Sequence, residues 1–102
     1  MAKVYAMYKT PADTAAFDRY YFATHVPIAK RIPGLRRYEV TSGPVTTMTG
    51  ASPYYLVAAL TFDSMAAIQA ALASPEGQAT AADLGNFATA GVDLYFADTR
   101  DV

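Results

Sequence analysis

Residues 54–62 read Tyr-Tyr-Leu-Val-Ala-Ala-Leu-Thr-Phe. Nine residues rich in aromatic, β-branched and aliphatic side chains, with no glycine or proline, predict a strand. Alternation puts Tyr54, Leu56, Ala58, Leu60 and Phe62 on one face and Tyr55, Val57, Ala59 and Thr61 on the other. Both faces are apolar, so the strand belongs at the centre of a sheet, covered on both sides. Val4 to Tyr8 has the same character, with Val4, Ala6 and Tyr8 against Tyr5 and Met7.

The remaining elements assemble around these two strands. Thr10-Pro11-Ala12-Asp13 is a turn whose Asp13 caps a helix from Thr14 to Arg31. On that helix Phe17, Tyr21, Thr24 and Ile28 share a face, flanked by Tyr20 and Phe22. Pro33-Gly34 stops it. Leu35 to Thr41 is a strand of mixed polarity, and Ser42 to Pro53 is a long loop with two Gly and two Pro. Asp63-Ser64 caps a second helix, Met65 to about Ala73, with Met65, Ile68 and Leu72 at helical spacing. Ser74-Pro75-Glu76-Gly77 interrupts it, a further helical piece spans Gln78 to Leu84, and Val92 to Ala97 is the last strand.

The order β-α-β-β-α-β is the ferredoxin-like split βαβ pattern, an α+β fold with a four-stranded antiparallel sheet in the order 4-1-3-2. The expected edge strands carry charge: Arg36, Arg37 and Glu39 on the second strand, Asp93 on the fourth. Two helices cover one face of such a sheet. The other face is too apolar for water, so a homodimer packed sheet on sheet is expected.

A chain of 102 residues fits a single domain spanning 1–102. It is 53% apolar, with eight Tyr and five Phe, and its net charge is −1. That balance lacks the basic stripe of a nucleic-acid binder. With no cysteine and one histidine, neither a disulfide framework nor a transition-metal site is expected. No GxGxxG or GxxxxGK[ST] phosphate loop occurs, so no cofactor is expected. Met-Ala-Lys-Val-Tyr does not resemble a signal peptide, and no apolar run approaches about 18 residues. No membrane association is expected, and the cytoplasm is the default location.

His25 is the only histidine, hence the only side chain with an ordinary pKa near neutrality. Its functional reading is a general base or acid, or a donor to a substrate oxygen. Its bland reading is a packed imidazole bonded to a backbone carbonyl. Pro27 lies two residues on and removes the amide that would bond the Ala23 carbonyl, a break costing roughly 3 kcal/mol in a helix interior. Rule-breaking of this kind is enriched at functional sites. Tyr21 lies four residues before His25 on the same helical face, and Tyr8 ends the first strand. These two are the candidate substrate-binding partners of a catalytic His25, and the ring is expected at a partly accessible pocket with an aromatic wall. Most other tyrosines are read as core and interface. Lys30, Arg31, Arg36 and Arg37 are read as complementing a helix end and solvating an edge strand, rather than as a carboxylate site.

The segments Phe17-Asp18-Arg19-Tyr20-Tyr21, His25-Val26-Pro27, Pro33-Gly34-Leu35-Arg36-Arg37-Tyr38-Glu39, Pro53-Tyr54-Tyr55, Phe62-Asp63-Ser64 and Ser74-Pro75-Glu76-Gly77 resemble the EthD family. That family belongs to the dimeric α/β-barrel group of ferredoxin-like folds. The likeness runs from the first strand to Asn86-Phe87-Ala88, and the family's recurring histidine matches His25. It implies a small protein linked to breakdown of ethers and other small organic molecules. If the protein is an enzyme, the expected chemistry is cofactor-free proton transfer (isomerisation, cyclisation or dehydration) on a small, mostly apolar compound, with a tyrosine hydroxyl on the developing oxyanion. The alternatives are a non-catalytic accessory protein of an ether or aromatic degradation pathway, and a cofactor-free monooxygenase. Fold alone does not choose among them.

Overall fold

The computed structural model describes all 102 residues. The elements are β1 (Ala2–Lys9), α1 (Thr14–Tyr20), a π-helical turn (Tyr21–His25), α2 (Val26–Ala29), β2 (Arg37–Val40), β3 (Thr46–Thr47), β4 (Gly50–Ala51), β5 (Tyr54–Phe62), α3 (Met65–Ala73), α4 (Pro75–Phe87) and β6 (Val92–Asp98). The main sheet runs β2-β5-β1-β6 with all pairings antiparallel. This is the ferredoxin-like order expected, with β1 and β5 central and the charged strands at the edges. The loop expected over 42–53 contains a small hairpin, β3 with β4. No helix is long and apolar enough to cross a membrane.

Asp13 and Ser64 cap their helices as anticipated, accepting from Ala16 N and Ala67 N. Ser74 ends α3 and starts α4. Its hydroxyl accepts from Gly77 N at 3.0 Å and donates to the Ala71 carbonyl. With Pro75 preset for the first helical turn, α4 begins three residues before the expected Gln78, because Ser74-Pro75-Glu76-Gly77 starts a helix as well as interrupting one. Glycine is required at 77 by proximity, since a Cβ there would lie 2.0 Å from the Ala71 carbonyl oxygen.

The helices cover one face of the sheet. On it Val4, Ala6, Tyr8, Leu56, Ala58, Leu60 and Phe62 pack against Phe17, Tyr21, Ile68, Ala71 and Phe87. The expected pairing of faces fails at one end of β5. The register slips between Tyr8, which faces Leu56, and Lys9, which faces Tyr54, leaving Tyr55 as the extra residue of a bulge. Tyr55 therefore turns toward α1, where its hydroxyl bonds Asp18 at 2.9 Å. Tyr54 goes to the opposite side, donating to Asp93 at 2.7 Å.

The first helix also departs from regularity. Its buried positions are Phe17, Tyr21, His25 and Ala29, whereas Thr24 and Ile28 are only half-buried. In a uniform α-helix, residues four apart drift about 40° per step around the axis. Here Val26 N–H bonds the Tyr21 carbonyl, five residues back. The wider turn keeps every fourth residue facing the sheet. It also comes directly before Pro27, whose ring would meet the carbonyl four residues back in a regular helix.

Candidate active site

His25 sits at the end of the π-helical turn, 3% exposed. Partial accessibility to bulk water was expected; the ring is instead enclosed, because the widened turn rotates it inward. The Phe87 ring packs on it at 4.6 Å and the Tyr21 ring at 5.4 Å. Nδ1 lies 2.9 Å from Asp83 Oδ2 on α4. The carbonyl partner of the bland reading is replaced by a carboxylate.

Asp83 is itself buried and accepts two more bonds, both at Oδ1: from the Tyr20 hydroxyl at 2.6 Å and from Asn86 Nδ2 at 3.0 Å. Burial by itself would raise the Asp83 carboxyl. The donors Tyr20, Asn86 and His25 outweigh it and hold the group below its ordinary 3.8, as an anion. Burial lowers the His25 imidazole below 6.5, against an upward pull from Asp83. The pair at neutral pH is thus a carboxylate and a neutral imidazole. A carboxylate only accepts, so Nδ1 carries the proton and Nε2 carries the lone pair. Nε2 has no protein partner, and because every fully buried side-chain N or O atom is bonded, Nε2 is not sealed off but retains a little accessible surface. His25 is one wall of a cavity of about 80 Å³ between sheet and helices. Tyr8, Tyr38, Leu60 and Leu84 line it too, and Leu72, Leu94 and Phe96 stand part-exposed at its rim.

The tyrosines divide by position. Tyr8 lies at the centre of the aromatic cluster, 5.5–5.6 Å from the rings it contacts. Tyr21 is fully buried and is not a cavity wall; its hydroxyl meets that of Tyr38 at 2.6 Å. Burial raises Tyr8, Tyr21 and Tyr38 above the ordinary phenol range, so all three stay protonated donors. The fold thus brings Tyr8, Tyr21 and His25 together, but of the two tyrosines expected to bind substrate only Tyr8 lines the cavity, because the Tyr21 side chain is buried behind it in the core. Sequence reasoning missed Tyr38, Tyr20, Asn86 and, most consequentially, Asp83. The available signal for Asp83 was a carboxylate in mid-helix, away from either cap, followed four residues on by Phe87.

A second, larger groove of about 740 Å³ lies under the 42–53 loop. Asp18, already bonded by Tyr55, is its one charged lining residue, and it has no imidazole. The one imidazole of the chain lines the smaller cavity and not this groove. No three His, Asp or Glu side chains are gathered so as to hold a metal ion. The basic residues near the second strand are committed outward, with Arg36 on Asp63 at 2.8 Å and Arg37 on Glu39 at 3.4 Å.

Comparison with known proteins places the family and the fold. Residues 9–91 match the EthD domain. The chain is 43% identical over 103 residues to an uncharacterized 11.0 kDa protein of the thcB–thcC intergenic region of Rhodococcus erythropolis, covering 100% of this chain and 98% of that one. The crystal structure of an ethyl tert-butyl ether D (EthD) family protein from Bacillus halodurans superposes with a TM-score of 0.90 at 36% identity, covering 98% and 99% of the two chains. Two remoter structures share the fold alone. One is SnoaB, a cofactor-independent oxygenase from Streptomyces nogalater (TM-score 0.69, 18% identity, 99% and 94% covered). The other is a dimeric ferredoxin-like protein of unknown function from Thermobifida fusca (0.70, 14%, 96% and 90%).

Proposed function

We propose that this chain, which belongs to the EthD family, binds a small, mostly apolar organic compound between its sheet and helices and exchanges a proton with it at His25. The observation that carries the reading is a neutral imidazole, backed by Asp83 at 2.9 Å and with no protein partner at Nε2, lining a mostly apolar cavity that Tyr8 and Tyr38 also line. A base positioned in a water-poor site takes a proton from a carbon beside a carbonyl, or from a phenol, with no cofactor. The electron pair left behind moves onto the substrate oxygen. The protonated hydroxyls of Tyr8 and Tyr38, on the same cavity, stabilise that oxygen. The imidazolium formed keeps its Nδ1–H on Asp83 and returns its proton from Nε2 to a different substrate atom, which completes an isomerisation or cyclisation, or to a departing hydroxyl in a dehydration.

The closed cavity is smaller than the roughly 300–1,000 Å³ of typical ligand pockets. Binding therefore parts Leu72 of α3 from Leu94 and Phe96 of β6, the part-exposed side chains at the rim. The protein acts as a homodimer. Tyr5, Met7, Val57, Ala59, Tyr95 and Ala97 fall together on the sheet face that no helix covers. The molecule is a slab 34 × 34 × 18 Å, so this face is broad enough for the roughly 800 Å² per partner of a stable interface.

Hydrogen–deuterium exchange tests the reading before a natural substrate is known. A panel beginning with cyclohexanone, small lactones and phenols is incubated with the protein in D₂O and followed by NMR. At least one α-C–H position is expected to exchange faster with the wild type than with His25→Ala. Ligands that bind both forms and exchange in neither would remove the catalytic role and leave a carrier of small molecules.

A further inference from the structure

We infer that Asp83 is the positioning residue of this site: its carboxylate fixes the His25 ring in the Nδ1–H form and so makes Nε2 the proton acceptor on the cavity side. The inference rests on the reading of His25 as the proton-exchanging group.

Three elements converge on one carboxylate. Tyr20 comes from α1, His25 from the π-helical turn, and Asn86 from one turn further along α4. A buried carboxylate is costly unless its oxygens are satisfied. This one has no lysine or arginine partner. Packing alone would be served by an apolar residue, as at Leu84 and Phe87 beside it. The distribution of donors is also specific. Tyr20 and Asn86 both bond Oδ1, at 2.6 and 3.0 Å, so Oδ2 is the oxygen turned to Nδ1. The ring cannot swing away, because Phe87 and Tyr21 pack against it. The titratable groups around the imidazole are Asp83 from α4, Tyr20 and Tyr21 from its own helical segment, Tyr8 from β1 and Tyr38 from β2. The tyrosines stay neutral, so Asp83 is the one charge that faces it.

The same bonding makes Asp83→Asn more than a loss of charge. Tyr20 and Asn86 are both donors, so they retain the amide oxygen at the Oδ1 position. The amide NH₂ is then left facing Nδ1. A donor at that place demands a lone pair on Nδ1, which moves the ring proton to Nε2. The variant should therefore invert the tautomer and present a donor to the substrate where the wild type presents a base.

His25 is the sole histidine, so ¹⁵N-histidine labelling gives one imidazole and an unambiguous long-range ¹H–¹⁵N spectrum. At pH 7.5 the wild type should show a protonated Nδ1 and an unprotonated Nε2. Asp83→Asn should show the reverse, and its cyclohexanone exchange should fall by about 100-fold or more. Tyr20→Phe leaves one Oδ1 donor and should keep the wild-type tautomer. An Nε2–H form or an imidazolium in the wild type at pH 7.5 would overturn the inference, even should Asp83→Asn not fold. So would an Asp83→Asn protein with unchanged tautomer and full exchange. Histidine-dependent exchange with the opposite tautomer would reject the role of Asp83 while sparing the functional reading. The inferred tautomer with exchange indifferent to His25→Ala would reject the functional reading instead.

Discussion

Alternate residues of the same two central strands build two unlike surfaces. On the helix side Val4, Ala6, Tyr8, Leu56, Ala58, Leu60 and Phe62 are all buried within one chain. On the far side Tyr5, Met7, Val57 and Ala59 are half-buried with nothing from this chain above them, and Tyr95 is 56% exposed. The polar groups differ as sharply. The helix side encloses His25, Asp83 and three phenol hydroxyls, each bonded or facing the cavity, where low dielectric makes every pairing consequential. The far side keeps its charges at the margins, with Lys3, Arg37 and Glu39 toward one end and Asp93 at the rim. Chemistry is assigned to the enclosed face and assembly to the open one because burial shifts proton affinities, whereas an unpaired apolar surface only seeks cover.

The sharpest break in that division comes from His25→Ala. A positioned base supplies ~10²–10⁴-fold in rate, or about 3–5 kcal/mol of barrier. Exchange of the cyclohexanone α-protons should fall by that factor while circular dichroism and the dimer mass stay unchanged. An equal loss of dimer would show that the two faces are not separable.

Gly77→Ala attacks the helix side through packing alone. Its new Cβ meets the Ala71 carbonyl oxygen at 2.0 Å and Leu72 Cα at 2.8 Å, backbone that cannot step aside. Overpacking typically costs about 1–3 kcal/mol, and this site belongs at the upper end. Urea unfolding should show the loss. Because α4 carries Asp83, the His25 tautomer signal should broaden with it.

Val57→Glu addresses the open face. Burying an unpaired carboxylate in a sheet-on-sheet interface should weaken dimerisation by about 2 kcal/mol, ~30-fold in Kd. Light scattering at micromolar concentration should shift toward the monomer mass, near 10.9 kDa. A mass still twice that value would place the interface elsewhere.

The smallest effect is a pH dependence confined to the helix side. His25 has a folded pKa below the unfolded 6.5. Below pH 6.5 the unfolded chain takes up a proton that the folded chain refuses. Stability is complete above that pH and declines as pH falls toward the folded value, by at most about 1.4 kcal/mol per unit. Asp83 adds a second decline below 3.8, where its depressed folded pKa leaves the unfolded chain the better proton acceptor. The melting temperature should drop between pH 7.5 and 5.5, and His25→Gln should flatten that drop.

Much of this architecture was legible beforehand, because local rules carried it. Tyr54–Phe62 declared a central strand by its apolar faces, Asp13 and Ser64 declared helix starts, and Pro33-Gly34 declared a stop. Errors gathered where a local pattern was interrupted. A bulge at Tyr55 exchanged the faces of Tyr54 and Tyr55. The turn before Pro27 put His25 and Ala29, rather than Thr24 and Ile28, on the buried side. Both are one-residue shifts in register, and a regular period cannot anticipate them.

The sequence by itself determined the strand–helix order, the two-sided apolar character of β1 and β5, the lack of any thiol, and the uniqueness of His25. These follow from residue type and periodicity, which act over a few residues. Tertiary structure alone decided that Asp83, 58 positions away, stands 2.9 Å from that imidazole, and that Tyr38 on β2 reaches Tyr21 on the helical segment. Hydrogen bonds between distant segments depend on how α4 and β2 dock against the first helix. That docking is set by the sum of core packing, and no short stretch of sequence encodes it.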